Sequence, residues 1–241
     1  MQTVLLFGAS GKLGQELKTK VDTNTKLYTP SHDECDITKA EHIDHIFDLY
    51  NPNIVIHTAA LVGALECEEN KTGAWRINVS GTVNIVKACL RKNSRLVFTS
   101  SAAIFDGKKG NYTENDTPTP INFYAVTKIA AEQAVRVLEN SSIIRLDFFP
   151  RYNLKYNEIY TDHFASKIPV EEAAEKILTI SNSVYKGIIN IGCKRKSLYN
   201  ILKPVFPNIK PITIASSKMP DYPHDLSLDT TIWQETFGDS K

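Results

Sequence analysis

The chain has little net charge, few cysteines and no long apolar run. Its 28 lysines and arginines nearly balance 27 aspartates and glutamates, which leaves a formal net charge of +1. No general field would recruit nucleic acid or an anionic membrane, so we expect neither as a partner. Cys35, Cys67, Cys89 and Cys193 lie far apart without Cys-x-x-Cys spacing. This pattern favours neither a zinc site nor a disulfide framework, and it fits a reducing compartment.

The N-terminus also lacks the basic segment and the apolar segment that a secretory signal would need. No apolar run approaches the roughly 20 residues that span a bilayer. We therefore expect a soluble, cytoplasmic protein. A length of 241 residues suits one domain with an appendage, or one and a half domains.

The first feature that is present is a strand, a glycine turn and a helix at the N-terminus. Residues 3–7 are an apolar run typical of a strand that is buried on both faces. Gly8, Gly11 and Gly14 follow with the spacing Gly-x-x-Gly-x-x-Gly, a variant of the dinucleotide-binding fingerprint Gly-x-Gly-x-x-Gly. Such glycines let the backbone approach a pyrophosphate, which the helix N-terminus then stabilises. A glycine-rich turn without a ligand is the alternative.

A second strand, predicted at residues 26–29, carries no acidic residue at its end. An NAD-specific site usually has an acidic residue there, which binds the ribose 2′-hydroxyl. With none present, a 2′-phosphate would not be repelled, and Lys12, Ser31 and His32 are candidates to hold it. We therefore favour NADP(H) as the cofactor and keep NAD(H) as the alternative. A loop histidine without a ligand is the competing interpretation of His32.

Strands and helices alternate through the rest of the first 148 residues. Further strands are predicted at 53–57, 95–101 and 142–146, and helices after a capping box at 38–41, over 73–92 and around Tyr124. This alternation predicts an α/β fold with a Rossmann-like doubly wound parallel sheet. In such sheets ligands bind at the carboxyl ends of the strands, where Ser101 is expected.

Two regions are predicted: a dinucleotide-binding domain over 1–148 and a small substrate-binding cap over 149–241. The second region contains a predicted helix at 170–180, a strand at 187–191 and a short helix at 198–202. Some of these pieces are expected to complete the sheet.

Tyr124 and Lys128 are spaced so that they share one face of a helix. A free tyrosine keeps its proton until about pH 10, and a nearby cation lowers that pKa. The pair could then exchange a proton with an alcohol or ketone near neutral pH. A surface tyrosine beside a surface lysine is the alternative for the motif taken alone.

Together these motifs resemble the extended short-chain dehydrogenase/reductases, and within them the dTDP-4-dehydrorhamnose reductase group of nucleotide-sugar reductases. The resemblance covers nearly the whole chain. It is carried by the glycine turn, Asp36-Ile-Thr38, the loop after IVIHTAA, NVSGT at 78–82, SAAIFDG at 101–107, YAVTK at 124–128 and the tail at 219–238.

The resemblance implies an NAD(P)H-dependent oxidoreductase that reduces a nucleotide-linked 4-keto-6-deoxysugar, in deoxysugar and polysaccharide biosynthesis. It implies that Tyr124 is the catalytic acid, that Lys128 tunes it and binds the ribose, and that Ser101 hydrogen-bonds the substrate carbonyl. Further implied cofactor contacts are Gly8, Ser10, Gly11, Lys12 and Leu13 near the pyrophosphate, Asp36 and Ile37 beside the adenine, Ala59, Ala60 and Leu61 along the cofactor path, and Thr99 beneath the nicotinamide. Asn78 is implied to help position the nicotinamide side or a proton relay. No metal is implied, and a homodimer is compatible with the group.

The chain departs from the group in three places, and two other functions stay open. Ala102 and Ala103 replace a polar pair, the segment after Phe148 is short, and the tail lacks an arginine before its proline. One alternative is an epimerase or dehydratase of the same fold with tightly held NAD. The lack of an acidic residue after the second strand disfavours it, and the lack of an acidic neighbour of Ser101 disfavours a dehydratase. The other is a non-catalytic, NADP-binding regulatory subunit, which the complete set of Ser101, Tyr124 and Lys128 disfavours.

Overall fold

A computed structural model describes residues 2–152, 154, 156–216 and 222–238; the part of the tail motif at 219–221 lies outside them. The strands are β1 Gln2–Phe7, β2 Thr25–Tyr28, β3 Ile54–His57, β4 Arg95–Thr99, β5 Ser141–Arg145, β6 Phe148–Phe149, β7 Glu158–Tyr160, β8 Phe164–Ala165, β9 Ile168–Pro169, β10 Gly187–Asn190, β11 Lys196–Ser197 and β12 Lys210–Ile212. The α-helices are α1 Lys12–Lys20, α2 Ala40–Tyr50, α3 Ala64–Glu69, α4 Lys71–Trp75, α5 Thr82–Lys92, α6 Phe123–Val135, α7 Val170–Ser181, α8 Leu198–Leu202 and α9 Thr231–Phe237. Among these described residues, none of the helices is both long and apolar enough to cross a bilayer.

The central sheet has the strand order β10-β5-β4-β3-β1-β2, and every neighbouring pair is parallel. From β1 the chain moves outward to β2 on one side and through β3, β4 and β5 on the other. The direction in which strands are added to the sheet therefore reverses between β1 and β3. This is the topological switch point, where such sheets bind ligands. The predicted Rossmann-like doubly wound α/β fold is confirmed.

Alternate residues of the strands enter two separate cores, one on each face of the sheet. On one face the strands pack against α1, α7 and Trp233 of α9. On the other face they pack against α2, α5 and the second half of α6. Because both faces are covered, β3 and β4 are buried along their whole length, as expected for strands in a parallel sheet. The strand ends are then the places where the sheet can present polar groups to a ligand.

The predicted capping box at residues 38–41 is wrong. Helix α2 begins at Ala40, its N-cap residue is Lys39, and no side chain caps it. The Thr38 hydroxyl instead donates to Asp36 Oδ1 at 2.8 Å, and the Thr38 N–H donates to the same oxygen at 2.9 Å. The Thr38 hydroxyl is therefore bonded to Asp36 and does not cap the helix, as the capping box would require.

The predicted helix at 73–92 is interrupted by a π-helix, Arg76–Gly81, which joins α4 to α5. The Thr82 hydroxyl donates to the Asn78 carbonyl at 2.7 Å, while the Thr82 N–H bonds to Val79 O. A side chain therefore uses the carbonyl that an α-helix would offer to the Thr82 N–H. The wider turn lies beside the candidate site, a common place for such turns.

Candidate active site

Two cavities of about 600 Å³ each open at the carboxyl ends of the strands. The first cavity lies over β1 and β2, and the second lies over β4 and β5. They share four lining residues, namely Gly8, Gly11, Thr58 and Ala60. The two cavities therefore form one cleft that meets at the glycine turn, above the switch point.

The first cavity collects most of the residues predicted for the adenosine end of a cofactor. The predicted residues that line it are Gly8, Ser10, Gly11, Ser31, His32, Asp36, Ile37, Ala59, Ala60 and Leu61. Lys12 is not among them and lines the second cavity instead. Lys18, near the end of α1, lines the first cavity and was not predicted. Lys18 therefore replaces Lys12 as the lysine beside Ser31 and His32.

The loop that follows β2 is ordered by its own polar groups. The Ser31 N–H donates to Glu34 Oε2 at 2.7 Å, and the Glu34 N–H donates to Ser31 Oγ at 3.3 Å. Glu34 does not line the first cavity. Asp36 does line it; although burial raises its pKa, the two hydrogen bonds from Thr38 lower the pKa below its usual value.

The glycine turn fits tightly between β1, β3 and α1. Gly8 has φ +86°, and a Cβ there would lie 2.5 Å from Ala59 N. A Cβ at Gly14 would lie 2.1 Å from Gly8 O. Helix α1 begins at Lys12, and no side chain caps its N-terminus. Its first N–H groups thus remain available to an anion, which the helix dipole also favours.

The second cavity brings Ser101, Tyr124 and Lys128 together, as predicted, with Thr99, Leu13 and Lys12 also in its lining. Ser101 follows the end of β4, and its Oγ accepts a hydrogen bond from Ala103 N at 3.1 Å. Asn122 caps α6 by accepting from Ala125 N at 2.9 Å. The cap fixes the start of the helix, so Tyr124 lies in its first turn and Lys128 one turn later.

Lys128 is almost completely buried, with 4% of its surface exposed. Its ammonium donates to the Thr99 carbonyl at 2.7 Å and lies 4.2 Å from the centroid of the Phe98 ring. Burial lowers the pKa of Lys128 to about 8, while the Glu132 carboxylate acts in the opposite direction. Glu132, in turn, pairs with the buried Arg145 at 2.9 Å.

Burial raises the pKa of Tyr124 to about 12, against a lowering by its hydrogen bond with Ser101. The Asp147 carboxylate adds to the rise. The expected net lowering of this pKa is wrong, because the effect of burial dominates. At neutral pH the phenol keeps its proton, so Tyr124 is suited to donate a proton to an oxygen that gains negative charge.

Asn78 lines neither cavity, so the structure does not bring it to the predicted nicotinamide position. Its Oδ1 accepts from Leu61 N at 2.7 Å, and its Nδ2 donates to Leu61 O and Thr127 Oγ1, each at 2.9 Å. Asn78 therefore ties the loop after β3 to α6. Its effect on the cleft is indirect, through Leu61.

Several polar residues of the second cavity were not predicted. Asp147 lies just past β5, and its carboxylate pairs with Lys167 at 3.1 Å. His163 Nδ1 lies 2.6 Å from Pro223 O, and its ring meets the Tyr222 ring edge-on at 5.0 Å. The strand-end rule that indicated Ser101 could have indicated Asp147 as well. Lys167, His163 and Tyr222 come from segments without any periodic pattern.

The model of the family described as RmlD substrate binding domain matches residues 1–153. The chain is 32% identical over 147 residues to the dTDP-4-dehydrorhamnose reductase of Aggregatibacter actinomycetemcomitans, covering 60% of this chain and 50% of that protein. It is 30% identical over 146 residues to methionine adenosyltransferase 2 subunit beta of Rattus norvegicus, covering 57% and 43%.

The crystal structure of a dTDP-4-dehydrorhamnose reductase from Clostridium acetobutylicum superposes with a TM-score of 0.90, 25% identity, and coverage of 100% of this chain and 94% of that one. The chain spans about half the length of the curated relatives it matches. The family model, by contrast, spans the glycine turn, both cavities' strand ends and the Tyr124 helix. The chain therefore belongs to the RmlD substrate binding domain family, as its sequence motifs predicted.

Proposed function

We propose that this protein is an NADPH-dependent reductase of a nucleotide-linked 4-keto-6-deoxysugar. The observation that carries the proposal is that Ser101, Tyr124 and Lys128 line one cavity, which continues across the glycine turn into a second cavity. Relatives named dTDP-4-dehydrorhamnose reductase and dTDP-4-keto-6-deoxy-D-glucose reductase, 32% and 30% identical, support the substrate class.

The cleft fits a dinucleotide in shape and in the groups it offers. Two lobes of equal volume would take the two nucleoside halves, and the uncapped N-terminus of α1 lies where they meet. In the first cavity Lys18, Ser31 and His32 would hold a 2′-phosphate, which favours NADPH over NADH. In the second cavity Lys128 would bind the adjoining ribose.

NADPH, when bound, supplies the hydride for the ketone. Ser101 Oγ accepts from Ala103 N and its hydroxyl is hydrogen-bonded with Tyr124; with substrate bound, this O–H would donate to the carbonyl instead. Tyr124 donates its proton to the same oxygen as negative charge develops there. The Lys128 ammonium, one helical turn away, stabilises the phenolate that remains. Electrostatic stabilisation and positioning by these three side chains would account for most of the rate acceleration.

The C-terminal region, residues 149–241, is proposed to hold the sugar nucleotide. It contributes His163, Lys167, Tyr222 and Leu226 to the second cavity. It also adds β10 to the edge of the sheet, so the cap and the cofactor domain share one core. The phenol and imidazole groups suit a polar, hydroxylated ligand.

The test is a panel of nucleoside-diphosphate 4-keto-6-deoxysugars, assayed with NADPH and with NADH by the loss of reduced cofactor. We expect turnover of at least one sugar, faster with NADPH, and the loss of that turnover in Tyr124→Phe. If no keto sugar were reduced by a protein that still binds NADPH, the reductase function would be wrong.

A non-catalytic subunit that binds NADP is the second candidate, because relatives named methionine adenosyltransferase 2 subunit beta are nearly as similar as the reductases. The presence of Ser101, Tyr124 and Lys128 in one cavity favours the enzyme. The same assay separates the two functions, since a regulatory subunit would bind the cofactor without consuming it.

A further inference from the structure

Asp147 and Lys167 form an ion pair in the wall of the second cavity. Lys167 Nζ lies 3.1 Å from Asp147 Oδ2, and the two side chains are 23% and 33% exposed. The Ile168 N–H donates to Asp147 O at 3.2 Å, so the backbones of the two segments are also joined. Both residues line the same cavity as Tyr124. The pair is thus fixed in position and open to a ligand.

The Asp147 carboxylate lies among the groups that would surround a substrate. Its negative charge contributes to raising the pKa of Tyr124 and of Tyr222, and it opposes the lowering of the pKa of His163 by burial. Among the described residues that line the second cavity, Asp147 carries the only carboxylate. It is therefore the strongest hydrogen-bond acceptor available to a ligand there.

The neighbouring strand end offers hydroxyl groups, from Thr99, Ser100 and Ser101, but no charged acceptor for sugar hydroxyls. After Ser101, which the reacting carbonyl would use, the chain continues with Ala102 and Ala103, of which Ala103 lines the cavity. Sugar hydroxyls next to the carbonyl carry donor hydrogens, and a buried donor without a partner is costly. The carboxylate at the end of β5 can accept them.

We propose that Asp147 is a specificity-determining residue, whose carboxylate accepts a hydrogen bond from the ring hydroxyl next to the reacting carbonyl of the sugar. Lys167 is a positioning residue that holds this carboxylate toward the cavity. The inference rests on the proposed reductase function and names the part of the sugar that the site recognises.

The test compares dTDP-4-keto-6-deoxyglucose with its 3-deoxy counterpart, which lacks the hydroxyl beside the carbonyl. We expect kcat/KM of the unaltered protein to favour the hydroxylated sugar about tenfold to a hundredfold, as for a hydrogen bond to a charged acceptor. In Asp147→Ala this ratio falls to near one, and kcat/KM for the 3-deoxy sugar changes little. Asp147→Asn, which keeps one acceptor oxygen, gives an intermediate ratio.

Two further sets of variants separate recognition from folding. Lys167→Met lowers the ratio of kcat/KM between the hydroxylated and the 3-deoxy sugar, whereas Lys167→Arg retains most of it. Asp44→Ala removes an aspartate that is paired with Arg91 on an exposed surface, and it leaves the ratio unchanged. An equal loss for both sugars in Asp147→Ala, or no preference in the unaltered protein, would overturn the inference alone. If the unaltered protein reduced neither sugar, the inference would be wrong for this sugar, and the reductase function would fail as well only if no other keto sugar of the panel were reduced.

Discussion

At the scale of single residues, the proton chemistry of the cleft depends on burial. The Tyr124 phenol keeps its proton at neutral pH because burial raises its pKa to about 12. The Lys128 ammonium is held by a carbonyl, and its pKa is lowered to about 8 by burial. Before reduction the site therefore presents a neutral acid beside a cation. That is the protonation state which the reduction of a ketone requires.

Replacing Tyr124 by phenylalanine removes the proton donor and leaves the ring in place. We expect kcat to fall about 10²-fold to 10⁴-fold, the usual contribution of general acid catalysis. NADPH affinity, measured by fluorescence titration, should change by no more than a few-fold. Near-normal turnover in this variant would remove Tyr124 from the proposed role.

Replacing Lys128 by methionine removes the buried ammonium and keeps most of the side chain's volume. We expect weaker NADPH binding and lower turnover, since the ammonium would bind the ribose and stabilise the phenolate. In the unaltered protein kcat/KM for NADPH should decline as pH rises through about 8, where Lys128 loses its proton. Unchanged NADPH affinity in Lys128→Met would show that Lys128 does not contact the ribose.

Residue types at strand and helix ends were predictable, whereas contacts that depend on packing were not. Ser101, Tyr124 and Lys128 follow from the strand-end rule and helical spacing. Lys12 and Lys18 lie on one helix, and only the packing of α1 decides which of them faces the loop after β2. The pKa of Tyr124 was mispredicted for the same reason, because the sequence does not reveal how deeply a side chain is buried.

At the scale of elements, the π-helix Arg76–Gly81 links the loop after β3 to α6. Through Asn78 it contacts Leu61 in the loop after β3 and Thr127 on α6. The helical pattern was predictable over this stretch, but the wider turn was not. At the interruption the Thr82 hydroxyl bonds to a backbone carbonyl, but threonines make such bonds in regular helices as well.

Asn78→Ala would leave the Leu61 backbone and the Thr127 hydroxyl without three hydrogen bonds. We expect a loss of about 1–3 kcal/mol in the free energy of unfolding, the cost of unpaired buried groups, measured by urea denaturation. NADPH should also bind more weakly, because Leu61 lines the first cavity.

A matched control for Asn78→Ala is Asn190→Ala. Asn190 is also fully buried, and its amide donates to Tyr112 O and Asp229 O, outside both cavities. This variant should lose stability and keep its NADPH affinity. If both variants lost affinity equally, the effect of Asn78 would reflect general destabilisation rather than its hold on the loop.

At the scale of the whole molecule, the central sheet was predictable, and the C-terminal region was predictable only in part. The sheet follows from the alternation of apolar strands and amphipathic helices, and the predicted strand at 187–191 became its edge strand β10. The short strands β7 and β8 were not predicted. They have two or three residues and pair with β12 and β11, which lie about 30 to 50 residues further along the chain. No local pattern indicates such pairs.

Acid should destabilise the whole fold through His57 at the centre of the sheet. His57 is completely buried between Phe7 and Phe98, and burial lowers its pKa from about 6.5 to about 3. The Thr82 hydroxyl donates to Asn78 O, so it accepts from His57 Nε2. Nδ1 has no partner among the described residues, and protonation there would bury a charged donor without an acceptor.

Well above pH 6.5 His57 is neutral in both the folded and the unfolded chain, so it does not make the free energy of unfolding depend on pH. As pH falls from about 6.5 toward 3, the unfolded chain takes up the proton and the folded chain does not. Stability is lost over that range, by about 2 kcal/mol between pH 7 and pH 5. Urea denaturation at these two pH values should show a smaller loss in His57→Asn, while His45→Asn, an exposed control on α2, retains the full loss. An equal loss in all three proteins would assign the acid sensitivity to other groups.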